Sequence, residues 1–205
     1  MLILILALVD EGARGLVTMW AARAAPYIGS PAREEWWEAQ PLWIQVFAAL
    51  CVGEIGGFST HWLLHVRHLP FWPLHRVHHA VRRLYVLNTY RFHPIDLALQ
   101  LLCIHPLLAL AGLRRAPVVF YYTVWFNTVG QLSHWNIRTR CGPLNYVFNT
   151  PECHRYHHSR SISDANCNYG QVLLIYDLLF GTFVACAARG SHTRHTHESG
   201  LLSHH

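Results

Sequence analysis

Lysine is absent: all 16 basic side chains among the 205 residues are arginine. Charge of either sign is scarce, with Asp, Glu and Arg together making 13% of the chain, against roughly 25% in an ordinary soluble domain. Arginine never runs longer than the pairs Arg82-Arg83 and Arg114-Arg115. A nucleic-acid surface concentrates its basic residues, so this spread argues against that partner. The six cysteines include no CxxC pair and no framework spacing, which excludes a zinc ribbon and fits a reducing compartment. No flavin-binding motif and no fused haem-binding domain is legible. With 52% apolar residues in place of the missing charge, the composition points to a membrane.

The apolar residues are gathered into stretches. Residues 42–60, "LWIQVFAALCVGEIGGFST", hold one acid, and the pattern runs on to His65. A helix of about 26 residues would be roughly 39 Å long at 1.5 Å per residue, longer than a hydrocarbon core of about 30 Å. Its last turns, "HWLLH", should therefore emerge at one face. Residues 95–113 and 118–135 are two more apolar stretches joined by "RRAP", and read as a hairpin returning the chain to that face. Residues 169–185 read as amphipathic or partly inserted, since Asp177 argues against a full span. The fold expected is all-α: an integral-membrane helical bundle with a histidine-rich cap. Nine arginines (67, 76, 82, 83, 91, 138, 140, 155 and 160) fall on the cap side, and Arg114 and Arg115 opposite. The positive-inside rule makes the cap cytoplasmic and the protein multi-pass. Residues 1–41 read as a surface or truncated membrane segment, because the apolar run at the start stops at Asp10. Residues 42–186 read as the membrane domain and 187–205 as a disordered tail whose histidines are not ligands.

Seventeen histidines are present, and most of those outside the tail are patterned. His61 and His65 are i, i+4, one turn apart on one helix face. Glu54 lies two turns before His61 on that same face. "HRVHH" (75–79) sets His75, His78 and His79 at i, i+3 and i+4, and "HRYHH" repeats the device with His154, His157 and His158. Each short helix is expected to aim three imidazoles at one point. Neutral imidazole is a good ligand for iron, zinc, copper or nickel. These eight are too many for one ion, so a two-metal site is expected.

Other motifs complete a pattern: an acid seven residues before "HWLLH", then "HRVHH", "RFHP" (91–94), "SHWN" (133–136), "NTPECHRYHH" (149–158), "NYG" (168–170) and "DLLFGT" (177–182). In order and spacing, residues 50–185 resemble the fatty acid hydroxylase and sterol desaturase superfamily of membrane di-iron enzymes. The resemblance implies two iron ions and dioxygen as co-substrate. It also implies a lipid substrate such as a fatty acyl chain, sterol or alkylglycerol, and hydroxylation or desaturation as the outcome. The electron donor would be a separate b-type cytochrome, or a ferredoxin with its reductase. Carried over by position, the ligands are His61, His65, His75, His78, His79, His154, His157 and His158, with His134 and His93 added. Some members have a further histidine where this chain has Arg138, so either His93 or a water held by Asn136 fills that place. Glu54 stands where an aspartate is frequent, and Tyr176-Asp177-Leu178 replaces the usual Trp-Asp-Arg. Glu54, Asn136, Asn168 and Asp177 are the residues expected to support the ligands, with Asp96 and Asp164 as further carboxylates or simple helix caps. His105 reads as structural.

The passage from "NTPECHRYHH" to "DLLFGT" is more similar to the alkylglycerol monooxygenase branch than to desaturases, which favours hydroxylation. The aromatic stretches "FYYTVWF" (120–126) and "LPFWPL" (69–74) would line a lateral entry for lipid or form an interfacial belt. Two other functions fit part of the pattern. A metal transport or storage protein would carry ligands along its spans, and an inactive lipid-sensing relative would have lost histidines from the motifs.

Overall fold

The computed structural model describes residues 27–185 apart from 67 and 82, with scattered positions before 27. The expected tail, 187–205, and most of residues 1–26 lie outside the described residues. The regular elements described are helical; Phe148 and Leu173 form an isolated antiparallel bridge. Helices α1 (Pro31–Glu38), α2 (Leu42–His65), α3 (Trp72–His79), α4 (Pro94–Ala111), α5 (Ala116–Ser133), α6 (Pro151–His157), α7 (Ile162–Ala165) and α8 (Ile175–Phe180) follow in order. Short 3-10 turns occupy Val86–Tyr90 and Gly142–Tyr146.

Helices α2 and α4 are long and apolar enough to cross a membrane. At 24 residues, α2 is about 36 Å long; it starts directly after Pro41, which stands at its N-cap, and ends at His65, where the apolar pattern also ends. Helix α5 forms the expected hairpin with α4. Gly112 ends α4 in the left-handed conformation (φ 81°), where a side chain would be strained, and a proline in its first turn starts α5.

Close approach builds the core. A Cβ on Gly53 would meet the Tyr122 ring at 2.7 Å, and one on Gly56 the Cys103 carbonyl oxygen at 2.7 Å. Glycine at these two positions lets α5 and α4 lie against α2, as small residues do in membrane bundles. Val46, Ala49, Leu50, Ile104, Leu108 and Val118 fill the space between. At the end away from the histidines, α1 caps the hairpin: Trp37 Nε1 donates to the Ala111 carbonyl at 2.8 Å. Arg114 pairs with Glu34 at 2.6 Å and Arg115 with Glu38 at 3.0 Å, so both arginines of the hairpin turn are neutralised. At the other end α2 finishes at His65, and α3, α6 and His134, the residue capping α5, close over it.

Candidate metal centre

Nine imidazoles converge where α2, α3, α5 and α6 meet, in two groups. His61, His65, His75, His79 and His157 form one, and His78, His134, His154 and His158 the other; within each, the ligand nitrogens lie within 4.8 Å of one another. The expectation that each triplet serves one point is corrected. His75 and His79 go to the first group and His78 to the second; His154 and His158 go to the second and His157 to the first. The reason is the helical repeat. Positions i and i+4 differ by only about 40° around the axis, whereas i+3 and i+4 differ by about 100°. Each short helix therefore feeds both groups, two nitrogens one way and one the other.

The backbone sets the tautomers. His61 Nδ1 donates to the Tyr169 carbonyl at 2.6 Å, His134 Nδ1 to the Gly130 carbonyl at 2.7 Å and His157 Nδ1 to the Cys167 carbonyl at 2.9 Å. A carbonyl only accepts, so the proton sits on Nδ1 and each Nε2 presents a lone pair. Asp96 does the same for His75: its Oδ2 accepts from Nδ1 at 2.8 Å, while Oδ1 accepts from Gln100 Nε2 at 2.6 Å. The lone pairs of His61 and His75 thus face each other at 3.1 Å, a repulsive contact unless a cation lies between them. The Nε2 atoms of His65 and His157 are buried without any hydrogen-bond partner. In the second group, His78 and His154 bring their Nε2 atoms to 3.3 and 3.0 Å from that of His134. Nitrogens at right angles around one ion, each about 2.1 Å from it, stand about 3 Å apart. The donor set fits a metal pair.

Burial keeps these ligands neutral. Removal from water, reinforced by neighbouring imidazoles, holds His75, His78, His79, His154, His157 and His158 well below the usual imidazole range. Burial alone pushes His134 down to about 4, even against its bond to Gly130. At neutral pH all seven offer a lone pair to an ion rather than a proton.

His93 stands apart from both groups: it caps the start of α4, its Nδ1 accepting from the Ile95 N–H at 3.2 Å. Asn136 and Arg138 are exposed. His105, half-buried in α4, belongs to neither group.

Glu54 and Asp177 do not reach an imidazole, contrary to the simplest expectation for supporting carboxylates. They hold the non-helical segment 169–173 instead. Asp177 accepts from the backbone N–H of Tyr169 (2.8 Å) and Gly170 (2.7 Å). Glu54 accepts from those of Gln171 (2.5 Å), Val172 (2.9 Å) and Leu173 (2.9 Å). Five consecutive amides are satisfied by two buried carboxylates, beside a helix that can span a membrane, where water cannot satisfy them. The segment's carbonyls then face the site: Tyr169 O orients His61, and Gly170 O accepts from Asn149 Nδ2 at 2.6 Å, an amide that also lies 3.1 Å from His154 Nδ1. A Cβ on Gly170 would strike the Leu173 carbonyl. Asn168, left-handed at φ 51°, ties the start of the segment down, its amide exchanging hydrogen bonds with Val184. Asn149 and Gln100 had no role on sequence reading; the one signal was a pair of polar residues, Asp96 and Gln100, one turn apart in an otherwise apolar helix.

A cavity of about 60 Å³ runs from the imidazoles between α4 and α5, walled by Leu97, Leu101, Ile104 and Phe126. Of the aromatic stretches proposed for an entry, only Phe126 lines it. Phe120, Tyr121 and Trp125 face outward from α5, as an aromatic belt would.

A helical scaffold with two helices long and apolar enough to cross a membrane thus carries, at the head of an apolar cavity, two groups of buried imidazoles that fit a metal site. The sequence profile of the fatty acid hydroxylase family matches residues 46–182, and the chain belongs to that family, within the fatty acid hydroxylase and sterol desaturase superfamily. The ornithine lipid hydroxylase OlsE of Rhizobium tropici is 40% identical over 148 residues, covering 72% of this chain and 44% of that protein. Human alkylglycerol monooxygenase is 28% identical over 150 residues, covering 73% of this chain and 32% of that protein. The Caenorhabditis elegans alkylglycerol monooxygenase is 34% identical over 121 residues, covering 56% of this chain and 22% of that protein. The chain thus spans less than half the length of these curated relatives. No solved structure matches it significantly.

Proposed function

We propose that the chain is a multi-pass membrane protein that holds two iron ions and hydroxylates a lipid drawn from the bilayer. Residues 42–186 form the catalytic unit, and 187–205 are dispensable. Nine histidines serve as ligands, five in the first group and four in the second, with His93 capping a helix. When bound, the iron pair would activate dioxygen for insertion of one oxygen atom into a C–H bond. The observation that carries this reading is the facing of buried imidazole lone pairs at the head of an apolar cavity.

The chain's own residues do the rest. Carbonyls of Gly130, Cys167 and Tyr169 fix imidazole tautomers, and Asp96 and Gln100 hold His75. Leu97, Leu101, Ile104 and Phe126 keep water from the reacting carbon and align an acyl or prenyl chain. Such alignment matters, since misplacement by about 1 Å can cost some hundredfold in rate. Metal transport is the weaker reading, because the ligands sit at one end of the spans and form no path along them among the described residues. An inactive relative is weaker too, as no histidine is missing from "HWLLH", "HRVHH" or "HRYHH".

Hydroxylation makes an isotopic prediction. With labelled dioxygen and a reductase system, the lipid product should carry one labelled oxygen atom; an unlabelled product with a new double bond would show desaturation instead. The resemblance to hydroxylating relatives, not a residue of the cavity, is what favours the first outcome. The orientation is a separate proposal: neutralisation of Arg114 and Arg115 leaves the excess positive charge on the histidine side, which the positive-inside rule assigns to the cytoplasm. A cysteine introduced at exposed Arg83 should then react with an impermeant label only from the cytoplasmic side, and labelling from the other side alone would reverse the topology.

A further inference from the structure

A second cavity, of about 190 Å³, meets the centre through different histidines from the apolar one. His65 and His79 of the first group form part of its wall, with Trp72, Arg76, Ser159, Arg160 and Asn166 around them. The Trp72 ring lies 5.3 Å from that of His65 and 5.6 Å from that of His79, centroid to centroid. Arg76 and Arg160 are exposed, have no ion-pair partner among the described residues, and no acidic side chain lines the cavity. Arg114, Arg115 and Arg155 differ in this: the first two pair with glutamates, and Arg155 donates to the Ile137 carbonyl at 2.7 Å; what sets Arg76 and Arg160 apart from the other exposed arginines is their place on the wall of a cavity that reaches the histidines.

We infer that this cavity and its two unpaired arginines are the docking surface for an acidic one-electron carrier protein, with Trp72, His65 and His79 as the route inward. The inference rests on the hydroxylase reading above and deepens it. Two positive charges around the opening repel a metal cation, so the cavity is no route for loading ions; they attract an anionic partner and speed its encounter. The cavity reaches the first group directly, since the side chains of His65 and His79 form part of its wall. The stoichiometry gives such a partner its task. A lipid C–H, dioxygen, two electrons and two protons yield a lipid C–OH and water, and each docking of a one-electron carrier brings one of those electrons. The same arginines would suit an anionic lipid headgroup, but lipid needs no opening onto His65 and His79, and the apolar cavity already meets the centre on His61 and His75.

The test uses the full chain, iron-loaded, in nanodiscs of neutral phosphatidylcholine. Two acidic probes, a plant-type [2Fe–2S] ferredoxin and a soluble b-type cytochrome domain, are passed over it by surface plasmon resonance at low and high salt. At least one should bind, faster at low salt. In the double variant Arg76→Gln/Arg160→Gln its association rate should fall about tenfold and lose most of its salt dependence, while iron content and reduction by dithionite stay unchanged. Equal binding by variant and wild type, or no binding of either probe to wild type, overturns the proposal. So does a variant that keeps donor binding and loses only its affinity for phosphatidylglycerol vesicles, which would assign the arginines to the membrane surface. Failure of dithionite-reduced wild type to hydroxylate lipid would instead overturn the hydroxylase reading, leaving the docking result to stand or fall by its own binding data.

Discussion

Replacing His78 with alanine is expected to lower bound iron from two ions per chain toward one and to abolish lipid hydroxylation. His78 is buried, 2% exposed, and its Nε2 lies 3.3 Å from that of His134 in the group of four. Its ring is stacked on Phe92, with centroids 4.4 Å apart and planes 4° from parallel, a contact that holds the imidazole in place. Loss of a partner behind a metal ligand typically costs about 10- to 100-fold in affinity or activity; loss of the ligand itself should exceed that. The effect should fall on the second ion. His75, three residues earlier on the same helix, should show the complementary loss at the first, because the two histidines serve different groups. Metal analysis and spectroscopy of the two variants separate these cases. Full retention of both ions in His78→Ala would contradict the division.

The second large effect is expected at a residue that touches no ligand. Glu54→Gln keeps the size of the side chain but replaces one acceptor oxygen with an NH₂ group that faces backbone N–H donors. In the wild type both carboxylate oxygens are used, one by Gln171 and the other by Val172 and Leu173. A buried N–H left without an acceptor costs about 1–3 kcal/mol, so the variant should lose about 2–4 kcal/mol of stability. The segment that slackens carries the Tyr169 carbonyl against His61 and the Gly170 carbonyl against Asn149. Iron content should therefore fall together with the melting temperature in detergent. Replacing exposed Glu38, whose pairing with Arg115 is at the far end of the bundle, should leave iron content unchanged and serves as the control. A Glu54→Gln protein with wild-type melting and full iron would show that the carboxylate does not organise the centre.

These two variants also mark what the sequence could and could not reveal. The histidine spacings were legible because i, i+3 and i+4 relations are local properties of a helix. How those imidazoles divide was not, since it depends on the way α3 and α6 face each other across the centre. Glu54 was legible as an acid on the His61 face, yet its partners lie 117 to 119 positions away in the chain, and no periodicity reports such a contact. His93 is the opposite case. Its place among the motifs suggests a ligand, but the following Pro94 starts α4, and a helix start draws the preceding side chain into capping its first N–H groups. The apolar stretches located α2, α4 and α5 well, whereas residues 169–185, read as amphipathic or partly inserted, are helical only over Ile175–Phe180; the N–H groups of 169–173 go to the Glu54 and Asp177 carboxylates, a use that no periodicity reports.

The central claim is a pair of iron ions held by neutral imidazoles. Its most direct test is the iron content of the purified full chain after supplementation of the host with iron, set against protein concentration from amino-acid analysis. The account predicts two iron ions per chain, falling toward one in His78→Ala. Less than one metal ion per chain in the wild type, with the protein folded, would contradict it.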